Sequence, residues 1–494
     1  MSLTVLSDEQ IRALLENLSY DEVDGFVDTL RNALHEYSTG TQSIEDGVIH
    51  QPERTSVHSN TTGATTLFMP SFSAQGHAVK VVTVSSPSSD TTLPAIRPTG
   101  SLTLYSPEGP PTGFLHAQTL TAFRTALASS CLLLKRAHVR TITVFGAGLQ
   151  AYWHIRLALM LRGHSIREVF IINRRFSDCA RATFKKIYGI PQEIKQREGW
   201  DQAQFSLLTP GYGEFDRLQK DHMRASDVIY CCTPSTEDLF DASILTSHEG
   251  RRKGRLIVAV GSYTPKMREL PRELLLQATK AHSSGLHYHK HATEGGVVIV
   301  DTLDGALKEA GEIIDAGLAP KQLVELGELV MIQRLAREEE ESLASQSSTD
   351  ESSMSDSFDK LDLSSTGSAM STVFGSESGK SASGSGSKRS SSRSPGRSPG
   401  RRKGSGSGGS FFPPFIRRQS SNKGSASEDK AQAQAQTQQQ EPYSHDKHLS
   451  RWLTVGTVVY KSVGLGLMDL VVGFELVRLA REKGLGHHIE GFSS

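Results

Sequence analysis

The chain of 494 residues is too long for one compact core, and its length predicts two or three structural units. Hydrophobic residues make up 37% of it, and the deficit is concentrated in one Ser- and Gly-rich region, which predicts an unfolded part. Lysine plus arginine and aspartate plus glutamate both number 54. This balance leaves no overall charge to attract nucleic acid or an anionic membrane, and we expect neither as a partner.

The cysteines and the N-terminal segment bear on the cellular compartment. Four cysteines lie in apolar or amphipathic segments without the spacing of metal ligands: Cys131, Cys179, Cys231 and Cys232. They predict buried thiols in a reducing compartment and no metal site. Charges interrupt the N-terminal segment where a signal peptide needs an apolar run, and no apolar stretch reaches the ~18 residues of a membrane span. These features predict a cytoplasmic protein.

The N-terminal region begins with a strand and two helices. Residues 3–6 are expected to form a short strand. Ser7, with Gln10 three positions later, has the form of a capping box and opens a predicted helix over 8–18. The apolar spacing predicts a second helix over 23–37.

Short β-rich segments follow, separated by Pro, Ser and Gly: LFMPSFS, HAVKVVTVS, GSLTLYS and GFLHA. Their composition predicts a mixed or antiparallel sheet. From 119 to 136 the apolar residues recur three to four positions apart, which predicts a helix. We assign residues 1–136 to a first, α+β domain.

A second region alternates apolar strands with helical segments: ITVFGAG, REVFIINR, SDVIYCCTP, RLIVAVGS and GVVIVDTL. Strands that are apolar on both faces and alternate with helices are typical of a parallel, doubly wound sheet. We therefore expect an α/β fold with a Rossmann domain over 137–337.

The segment 338–449 is dominated by Ser, Gly and Gln and lacks the aliphatic periodicity of a packed core, so we predict a disordered insertion. Basic residues lie among its Ser-Pro steps: Arg393, Arg397, Arg401, Arg402 and Lys403. Such a segment suits phosphorylation of its serines or binding of an acidic partner, although a solvated tail is the favoured interpretation. Residues 450–494 then predict a strand and a helix that return to the first domain.

The segment VFGAGLQA has the glycine spacing of a dinucleotide-binding turn. Gly146 permits the tight turn, Gly148 lets the backbone approach a pyrophosphate, and Ala151 is the third small residue. Leu149 and Gln150 open the following helix, whose N-terminal amides attract phosphate. This placement between a strand and a helix predicts a nicotinamide cofactor.

The end of the second strand of such a domain discriminates between the two nicotinamide cofactors. An acid there accepts from the ribose 2′-hydroxyl of NAD, whereas arginine holds the 2′-phosphate of NADP. This chain has Asn173, Arg174 and Arg175 and lacks an acid at that point. The sequence therefore favours NADP(H) over NAD.

Three cations of the first domain stand among apolar or small residues, in QPERTSV, GHAVKVVTV and LTAFRTALA: Arg54, Lys80 and Arg124. Cations seldom occupy such sites without a partner. A buried lysine donates a proton readily near neutrality, and arginine binds carboxylates bidentately. Structural ion pairs explain each residue equally well, so the residues alone leave both interpretations open.

Together these segments resemble the ornithine cyclodeaminase and mu-crystallin family, which joins an α+β dimerisation domain to a Rossmann domain. The likeness extends to further segments: INRR, AVGSYTPKMREL, VVIVDTLDGALKEAGE, LVELGEL and TVVYKSVGLGLMD. The resemblance implies a homodimer that acts on a small amino or imino acid. The long insertion is atypical of the family.

The resemblance also implies roles for individual residues. Arg54, Lys80 and Arg124 would surround the substrate carboxylate, Lys80 would be the catalytic residue that transfers the proton, and Arg124 would also contact the cofactor. The implied cofactor contacts further along the chain are Thr233, Val260 and Ser462.

Two positions depart from the pattern of the family, in addition to the end of the second strand, where its ornithine enzymes carry an Asp and this chain has Asn173 and Arg174. Those enzymes carry an acid in the VGG turn before the proline, where it activates water, and here Tyr263 stands in VGSYTP. His116 occupies a place where relatives commonly have an acid; we interpret it as structural and leave a role in proton supply open. The missing acid favours reduction over deamination.

Our leading hypothesis is an NADPH-dependent reductase of imino acids, acting on a cyclic ketimine such as pyrroline- or piperideine-2-carboxylate. One alternative is a lyase of the ornithine cyclodeaminase type that forms proline and ammonia. Another is a nonenzymatic protein that binds NADPH and a ligand.

Overall fold

The computed structural model describes residues 2–40, 47–85, 98–280, 295–330 and 452–492. The predicted disordered insertion over 338–449 lies outside these residues. The described residues form two β-sheets and the helices that cover them. In the described part of the chain, no helix is long and apolar enough to cross a membrane.

The first sheet is mixed and has seven strands among the described residues, β1 (Leu3–Leu6), β2 (Thr55–Ser59), β3 (Ala64–Ser73), β4 (Gly76–Ser85), β5 (Thr99–Tyr105), β6 (Pro111–His116) and β15 (His487–Ile489). Their spatial order is β15-β1-β6-β5-β4-β3-β2. Strand β1 is parallel to β6 and antiparallel to β15, and the remaining neighbours are antiparallel. The predicted mixed or antiparallel sheet is therefore observed.

Four helices pack near this sheet, α1 (Asp8–Glu16), α2 (Tyr20–Thr39), α3 (Ala117–Leu133) and α12 (Gly466–Glu482). The capping box predicted for α1 is present, because Ser7 and Gln10 exchange backbone-to-side-chain hydrogen bonds. Helix α12 lies close to the sheet at Gly473, where a Cβ atom would fall 2.7 Å from Leu102 Cδ2. The small residue thus permits close contact between helix and sheet.

The second sheet has eight parallel strands among the described residues, β7 (Thr141–Phe145), β8 (Glu168–Ile172), β9 (Gln204–Leu208), β10 (Val228–Cys231), β11 (Leu256–Ala259), β12 (Val297–Val300), β13 (Leu323–Glu325) and β14 (Val458–Lys461). Their order is β13-β12-β14-β11-β10-β7-β8-β9. The accompanying helices are α4 (Leu149–Arg162), α5 (Asp178–Tyr188), α6 (Gln192–Glu198), α7 (Phe215–Ala225), α8 (Ser243–Thr246), α9 (Arg272–Ala278), α10 (Leu303–Glu309) and α11 (Gly311–Ala316). The predicted α/β fold with a doubly wound parallel sheet is confirmed.

The C-terminal strand lies where we did not expect it. We predicted that both the strand and the helix of 450–494 return to the first domain, but β14 pairs with β11 and β12 inside the second sheet. Helix α12 does return to the first sheet, contacting β3, β4 and β5. Val458 and Tyr460 are buried on one face of β14 and Val459 is buried on the other, as a central parallel strand requires.

The two sheets share a hydrophobic core. Helix α3 packs on α4, and one cluster of buried side chains runs from the first sheet through both helices to the second. Phe123 of α3 makes edge-to-face contacts with Phe26 of α2 and Trp153 of α4, at ring distances of 5.5 and 5.3 Å. This core fixes the first sheet, with α3 and α4 between the sheets, against one face of the second.

The four cysteines are free thiols, and one of them corrects the prediction of buried thiols. Cys131, Cys231 and Cys232 are buried, whereas Cys179 is exposed. Cys179 lies in the first turn of α5 and donates a hydrogen bond to the carbonyl oxygen of Ala147. Its helix is amphipathic, and position 179 falls on the outer side of it.

Candidate active site

The strand order of the second sheet defines a crevice at its carboxyl edge. From β7 the chain continues to β8 and β9 on one side, and then crosses to β10 and β11 on the other. Ligands of such sheets bind at this switch point, in the loops that follow the strands. Apart from Arg124, which lies on α3, the predicted cofactor residues lie in these loops or at the start of α4, after β7, β8, β10, β11 and β14.

The glycine turn after β7 has the geometry that its sequence predicts. Gly146 has a φ of 97°, and a Cβ atom there would lie 2.9 Å from the carbonyl oxygen of Cys232. The turn is also held from α5, because Thr183 Oγ1 donates to the carbonyl oxygen of Ala147 at 2.9 Å. Glycine is therefore required at position 146 by backbone conformation and by close contact with the end of β10.

The start of α4 fits an anionic ligand. Gly148 is the N-cap residue, and a Cβ atom there would meet nothing within 4 Å among the described residues. The first amides of α4, at Leu149 and Gln150, therefore face open space without a side-chain cap. The side-chain oxygen of Gln150 is buried without a hydrogen-bond partner in the described part of the chain. These features match the needs of a phosphate group and a nearby hydroxyl donor.

The loop after β8 carries the residues that discriminate between cofactors. Asn173 is folded onto its own loop, donating to the carbonyl oxygen of Arg175 at 2.7 Å and to Ser177 Oγ at 3.3 Å. The side chains of Arg174 and Arg175 are exposed. Within the described ranges, neither guanidinium forms an ion pair with a carboxylate. Two arginines therefore stand free at the edge of the crevice.

Buried carboxylates support the loops on the other side of the crevice. Asp301 accepts hydrogen bonds from Ser462 Oγ at 2.7 Å and from the amides of Val463 and Gly464 at 3.0 and 2.9 Å. Glu269 accepts from the loops after β10 and β11, which carry Thr233 and Val260. Thr233, Val260 and Ser462, which the resemblance implies as cofactor contacts, thus lie in loops that hydrogen-bond to a buried carboxylate.

Lys80 and Arg124 converge on one aspartate. Lys80 Nζ lies 2.8 Å from Asp469 Oδ2, and Arg124 Nε lies 3.1 Å from Asp469 Oδ1. The exposed fractions are 2% for Lys80, 4% for Arg124 and 0% for Asp469, so water screens these charges little. Two cations and one carboxylate leave a net positive charge in an almost fully buried position.

The surroundings of Lys80 lower its pKa toward neutrality, as a proton donor near neutral pH would require. Burial, together with the positive charges of Arg124 and Arg54, lowers the pKa of Lys80 to about 8 against the opposing effect of Asp469. A lysine with this pKa is largely protonated at pH 7 and gives up its proton more easily than a free lysine.

Arg54 reaches the same region from the loop before β2. Its Nη2 atom lies 2.5 Å from Glu309 Oε2 and donates to the carbonyl oxygen of Tyr263 at 3.0 Å. Its charge contributes to the lowered pKa of Lys80. The structure therefore brings Arg54, Lys80 and Arg124 together, as the family resemblance implies.

Two acidic members of this site, Asp469 and Glu309, were missed by the sequence analysis. Asp469 stands alone among apolar residues in LGLMDLVVGF, which is the signal that singled out Lys80 and Arg124. Glu309 gave no such signal, because it ends the short helix α10 next to other charged residues. Buried charges come in pairs, so three isolated cations should have prompted a search for isolated acids.

The two departures from the family pattern occupy different surroundings. Tyr263 meets Arg54 through its backbone carbonyl, and burial raises the pKa of its phenol, so the side chain is a weak acid there. His116 is the N-cap residue of α3 and lies 3.3 Å from Asp8 Oδ1. Asp8 also accepts from the amide of Thr119 at 2.8 Å. His116 therefore caps a helix, and among the described residues it forms no hydrogen bond or ion pair with Lys80 or Arg124.

Among the described residues, no group of three or more His, Cys, Asp or Glu side chains is arranged to hold a metal ion. The site is instead built from ion pairs beside a nucleotide-type crevice.

Comparison with curated proteins gives a consistent set of relatives. An uncharacterized protein of Saccharomyces cerevisiae is 27% identical over 67% of this chain and 86% of its own length. The ketimine reductase mu-crystallin of Mus musculus is 28% identical over 66% of this chain and 86% of its own length. A Delta(1)-pyrroline-2-carboxylate reductase of Bacillus cereus is 26% identical over 56% of this chain and 74% of its own length.

Solved structures share the fold at low sequence identity. The Thermococcus litoralis Delta(1)-pyrroline-2-carboxylate reductase, in complex with NADH and L-proline, has a TM-score of 0.55 and 16% identity, covering 98% of this chain and 99% of that one. The iminosuccinate reductase of Paracoccus denitrificans with NAD+ has a TM-score of 0.54 and 14% identity, with coverage of 99% and 100%. The model of the ornithine cyclodeaminase/mu-crystallin family matches residues 15–195. The fold, the relatives and this match confirm the resemblance to the ornithine cyclodeaminase/mu-crystallin family that was found in the sequence.

Proposed function

We propose that the protein is an NADPH-dependent reductase of imino acids, with a cyclic ketimine carrying one carboxylate as its substrate. The observation that carries this proposal is the position of Lys80, a buried proton donor flanked by Arg124 and Arg54. Named relatives support it, since they include a ketimine reductase and a pyrroline-2-carboxylate reductase.

The charges of the site suit a substrate with a single carboxylate. Three cations, Arg54, Lys80 and Arg124, face two carboxylates, Asp469 and Glu309, which leaves one positive charge when all are ionised. One substrate carboxylate between the arginines balances that charge. A buried, unbalanced charge is costly, so this balance favours binding of a monocarboxylate.

Reduction of the imine adds a hydride to the carbon and a proton to the nitrogen, and the C=N bond becomes a single bond. Bound NADPH supplies the hydride. Arg54 and Arg124 hold the substrate carboxylate and thereby fix the imine carbon next to the crevice. Lys80 donates its proton from Nζ to the imine nitrogen and regains one from solvent.

We assign the phosphorylated cofactor from the loop after β8. Arg174 and Arg175 are exposed at the end of that strand, and a carboxylate that would repel a 2′-phosphate is missing from the described part of the loop up to Ser177. Arginine binds phosphate through parallel hydrogen bonds. NADPH is therefore the expected cofactor, and NADH the weaker one.

We further propose that the protein is a homodimer joined through the outer face of the first sheet. Large apolar residues are exposed on that face, with exposed fractions of 55% for Val57, 39% for Phe68 and 44% for Phe114. The strand register places Phe68 and Phe114 on the face opposite to Lys80 and α12. An exposed apolar sheet face of this kind is typical of an interface.

The test is an assay of the purified protein with NADPH and a panel of cyclic and linear imino acids. We expect NADPH oxidation with a cyclic ketimine monocarboxylate. Ornithine is assayed in parallel with detection of ammonia. Ammonia release without net change in cofactor absorbance would assign the protein as a lyase, and NADPH binding without turnover on any imine would assign it as a binder.

The Lys80→Ala variant tests the role of the lysine. It should lose turnover while retaining NADPH affinity, because Lys80 serves the substrate rather than the cofactor. Lys185→Ala, which removes an exposed lysine of α5, is the matched control and should keep full activity. A fully active Lys80→Ala enzyme would remove the lysine from this mechanism.

A further inference from the structure

Glu269 bridges the ends of two neighbouring strands from beneath the crevice. Its Oε1 atom accepts from the amide of Thr233 at 2.8 Å and from Thr233 Oγ1 at 3.2 Å. Its Oε2 atom accepts from the amides of Gly261 and Ser262 at 2.7 and 3.2 Å. One carboxylate oxygen thus holds the loop after β10, and the other holds the loop after β11.

The two loops are in direct backbone contact at this point. A Cβ atom on Gly261 would lie 2.1 Å from the carbonyl oxygen of Thr233 and 2.4 Å from its amide nitrogen. Glu269 has an exposed fraction of 0%. The carboxylate therefore has no solvent route for exchanging its hydrogen bonds, and the loops can separate only if these bonds break.

The same loop continues to the substrate side. Tyr263 directly follows Ser262, and its carbonyl oxygen accepts the hydrogen bond from Arg54. A shift of the amides of Gly261 and Ser262 would therefore move the anchor of Arg54. Thr233 and Val260, the expected cofactor contacts, lie in the two loops that Glu269 joins.

The charged groups around Glu269 come from three other elements. Lys461 of β14 is buried. Its Nζ atom donates hydrogen bonds to the carbonyl oxygen of Ser262 at 2.5 Å and to Ser262 Oγ at 2.6 Å. Glu312 of α11 lies 3.4 Å from Lys461 Nζ and accepts from Ser262 Oγ. Cys231 and Cys232, at the end of β10, have strongly raised pKa values owing to burial and remain neutral thiols. One lysine thus faces two carboxylates.

We infer that Glu269 is a positioning residue that couples the cofactor side and the substrate side of the site by holding the loops after β10 and β11 together. The inference rests on the proposed function, and it goes beyond it by assigning a role to a residue outside the crevice. It acts through Thr233, Gly261 and Ser262 and touches neither cofactor nor substrate.

The protonation state of Glu269 changes within the physiological range. Burial raises the pKa of Glu269 to about 7, with a smaller contribution from Glu312 and opposition from Lys461 and the amides. A proton on Oε2 displaces one of the two amides that donate to it, and a proton on Oε1 requires the Thr233 hydroxyl to change from donor to acceptor or the Thr233 amide to lose its acceptor. The coupling therefore weakens as the pH falls below about 7.

The test compares wild type with Glu269→Gln, which keeps the side-chain shape but turns an N–H donor toward a backbone N–H. We measure the Kd for NADPH by fluorescence, without turnover, and then KM and kcat for the imino acid. We expect the Kd for NADPH and the KM for the imino acid each to rise at least ~10-fold, with a smaller change in kcat.

Glu198→Gln is the matched control. The Glu198 side chain is 8% exposed. It accepts three hydrogen bonds, two from Arg156 at 2.6 and 2.7 Å and one from Trp200 at 2.6 Å, but it lies on α6, remote from the crevice. This variant should lose thermal stability without a change in Kd. If Glu269→Gln likewise lost thermal stability without a change in the Kd for NADPH, the role of Glu269 would be structural only and the inference would be overturned.

A second measurement on the wild-type protein does not depend on the folding of a variant. The Kd for NADPH should rise, and binding should therefore weaken, as the pH falls through about 7. The Kd for NADH, which lacks the titrating 2′-phosphate, should show the same trend. A flat profile with both cofactors would overturn the inference. If wild type binds neither cofactor at any pH, the proposed function itself fails, which is a distinct outcome.

Discussion

Lys80 and Asp469 form a buried ion pair with an Nζ–Oδ2 distance of 2.8 Å, although 389 positions separate them in the chain. The pair joins a strand of the first sheet to a helix that follows the last strand of the second sheet. The proton donor of the proposed reaction is thus held by a residue from the far end of the sequence.

Replacing Asp469 should alter the pH dependence of the reaction. The pKa of Lys80 is about 8, and Asp469 is a group that raises it. Reduction needs protonated Lys80, so the rate should fall as the pH rises through about 8 in the wild type. In Asp469→Asn the carboxylate that raises the pKa of Lys80 is removed, so the pKa should fall. The rate should then begin to decline at a lower pH than in wild type, with kcat/KM at pH 7 reduced ~100-fold.

A pH–rate profile of both proteins checks this prediction. The control is Asp304→Asn, which removes an exposed carboxylate paired with Lys308 and should leave the profile unchanged. An alkaline limb at the same pH in wild type and Asp469→Asn would show that the aspartate does not govern Lys80. Because removing one partner of a buried pair costs roughly 3–5 kcal/mol, folding of the variant is first verified by circular dichroism.

The double variant Arg174→Ala with Arg175→Ala should change cofactor preference. Both guanidiniums are exposed at the end of β8, where the 2′-phosphate is expected. Without them the KM for NADPH should rise ~10- to 100-fold while the KM for NADH stays nearly constant. Arg181→Ala, which removes an arginine paired with Asp178 on α5, is the control. Equal changes with both cofactors would contradict recognition of the phosphate.

Alanine at the two glycines of the turn should separate folding from binding. At Gly146 a Cβ atom would lie 2.9 Å from the carbonyl oxygen of Cys232 on a backbone with a φ of 97°, so Gly146→Ala should lower the melting temperature. At Gly148 a Cβ atom meets nothing within 4 Å. Gly148→Ala should therefore fold normally and lose cofactor affinity, because the methyl group occupies the space of the phosphate.

Calorimetry and a binding titration on both variants test this contrast. Unchanged NADPH affinity in a folded Gly148→Ala protein would place the phosphate elsewhere. A melting temperature equal to that of wild type in Gly146→Ala would contradict the close contact between the glycine turn and the end of β10.

A charge on the outer face of the first sheet should separate the proposed dimer. Phe68 is 39% exposed on that face, and Phe68→Glu would place a carboxylate in the apolar interface. Light scattering after gel filtration should give the mass of a dimer for wild type and of a monomer for the variant. Phe176→Glu, at an aromatic residue 62% exposed beside the crevice, should remain dimeric. A monomeric wild type would contradict the proposal outright.

The sequence predicted those features that depend on local patterns. The capping box at Ser7, the glycine turn at Gly146 and the strands β7, β8, β10, β11 and β12 follow from spacing within a few residues. Strand β9 was missed because its residues at the sheet edge are half exposed and partly polar. Strand β13 has three residues, too few for a pattern.

Long-range pairing could not be derived in the same way. The position of β14 between β11 and β12 depends on which sheet edge is open when the chain returns, and local periodicity carries no such information. The cations of the site were visible as charges in apolar segments, but their partner Asp469 was overlooked. Glu269 gave no signal, since a glutamate in PKMREL looks like a surface residue until the two loops that it joins are known.

The place of β14 in the second sheet has a consequence for synthesis of the protein. A ribosome must translate residue 461 before β11 and β12 gain the neighbour that lies between them. Until then β11 and β12 each have an unpaired side in addition to the outer edges of the sheet, and unpaired strand sides are templates for wrong pairing. A chain cut or terminated anywhere before β14 would lack both that strand and Asp469. The central strand of the second sheet and the partner of Lys80 are therefore both added late in synthesis.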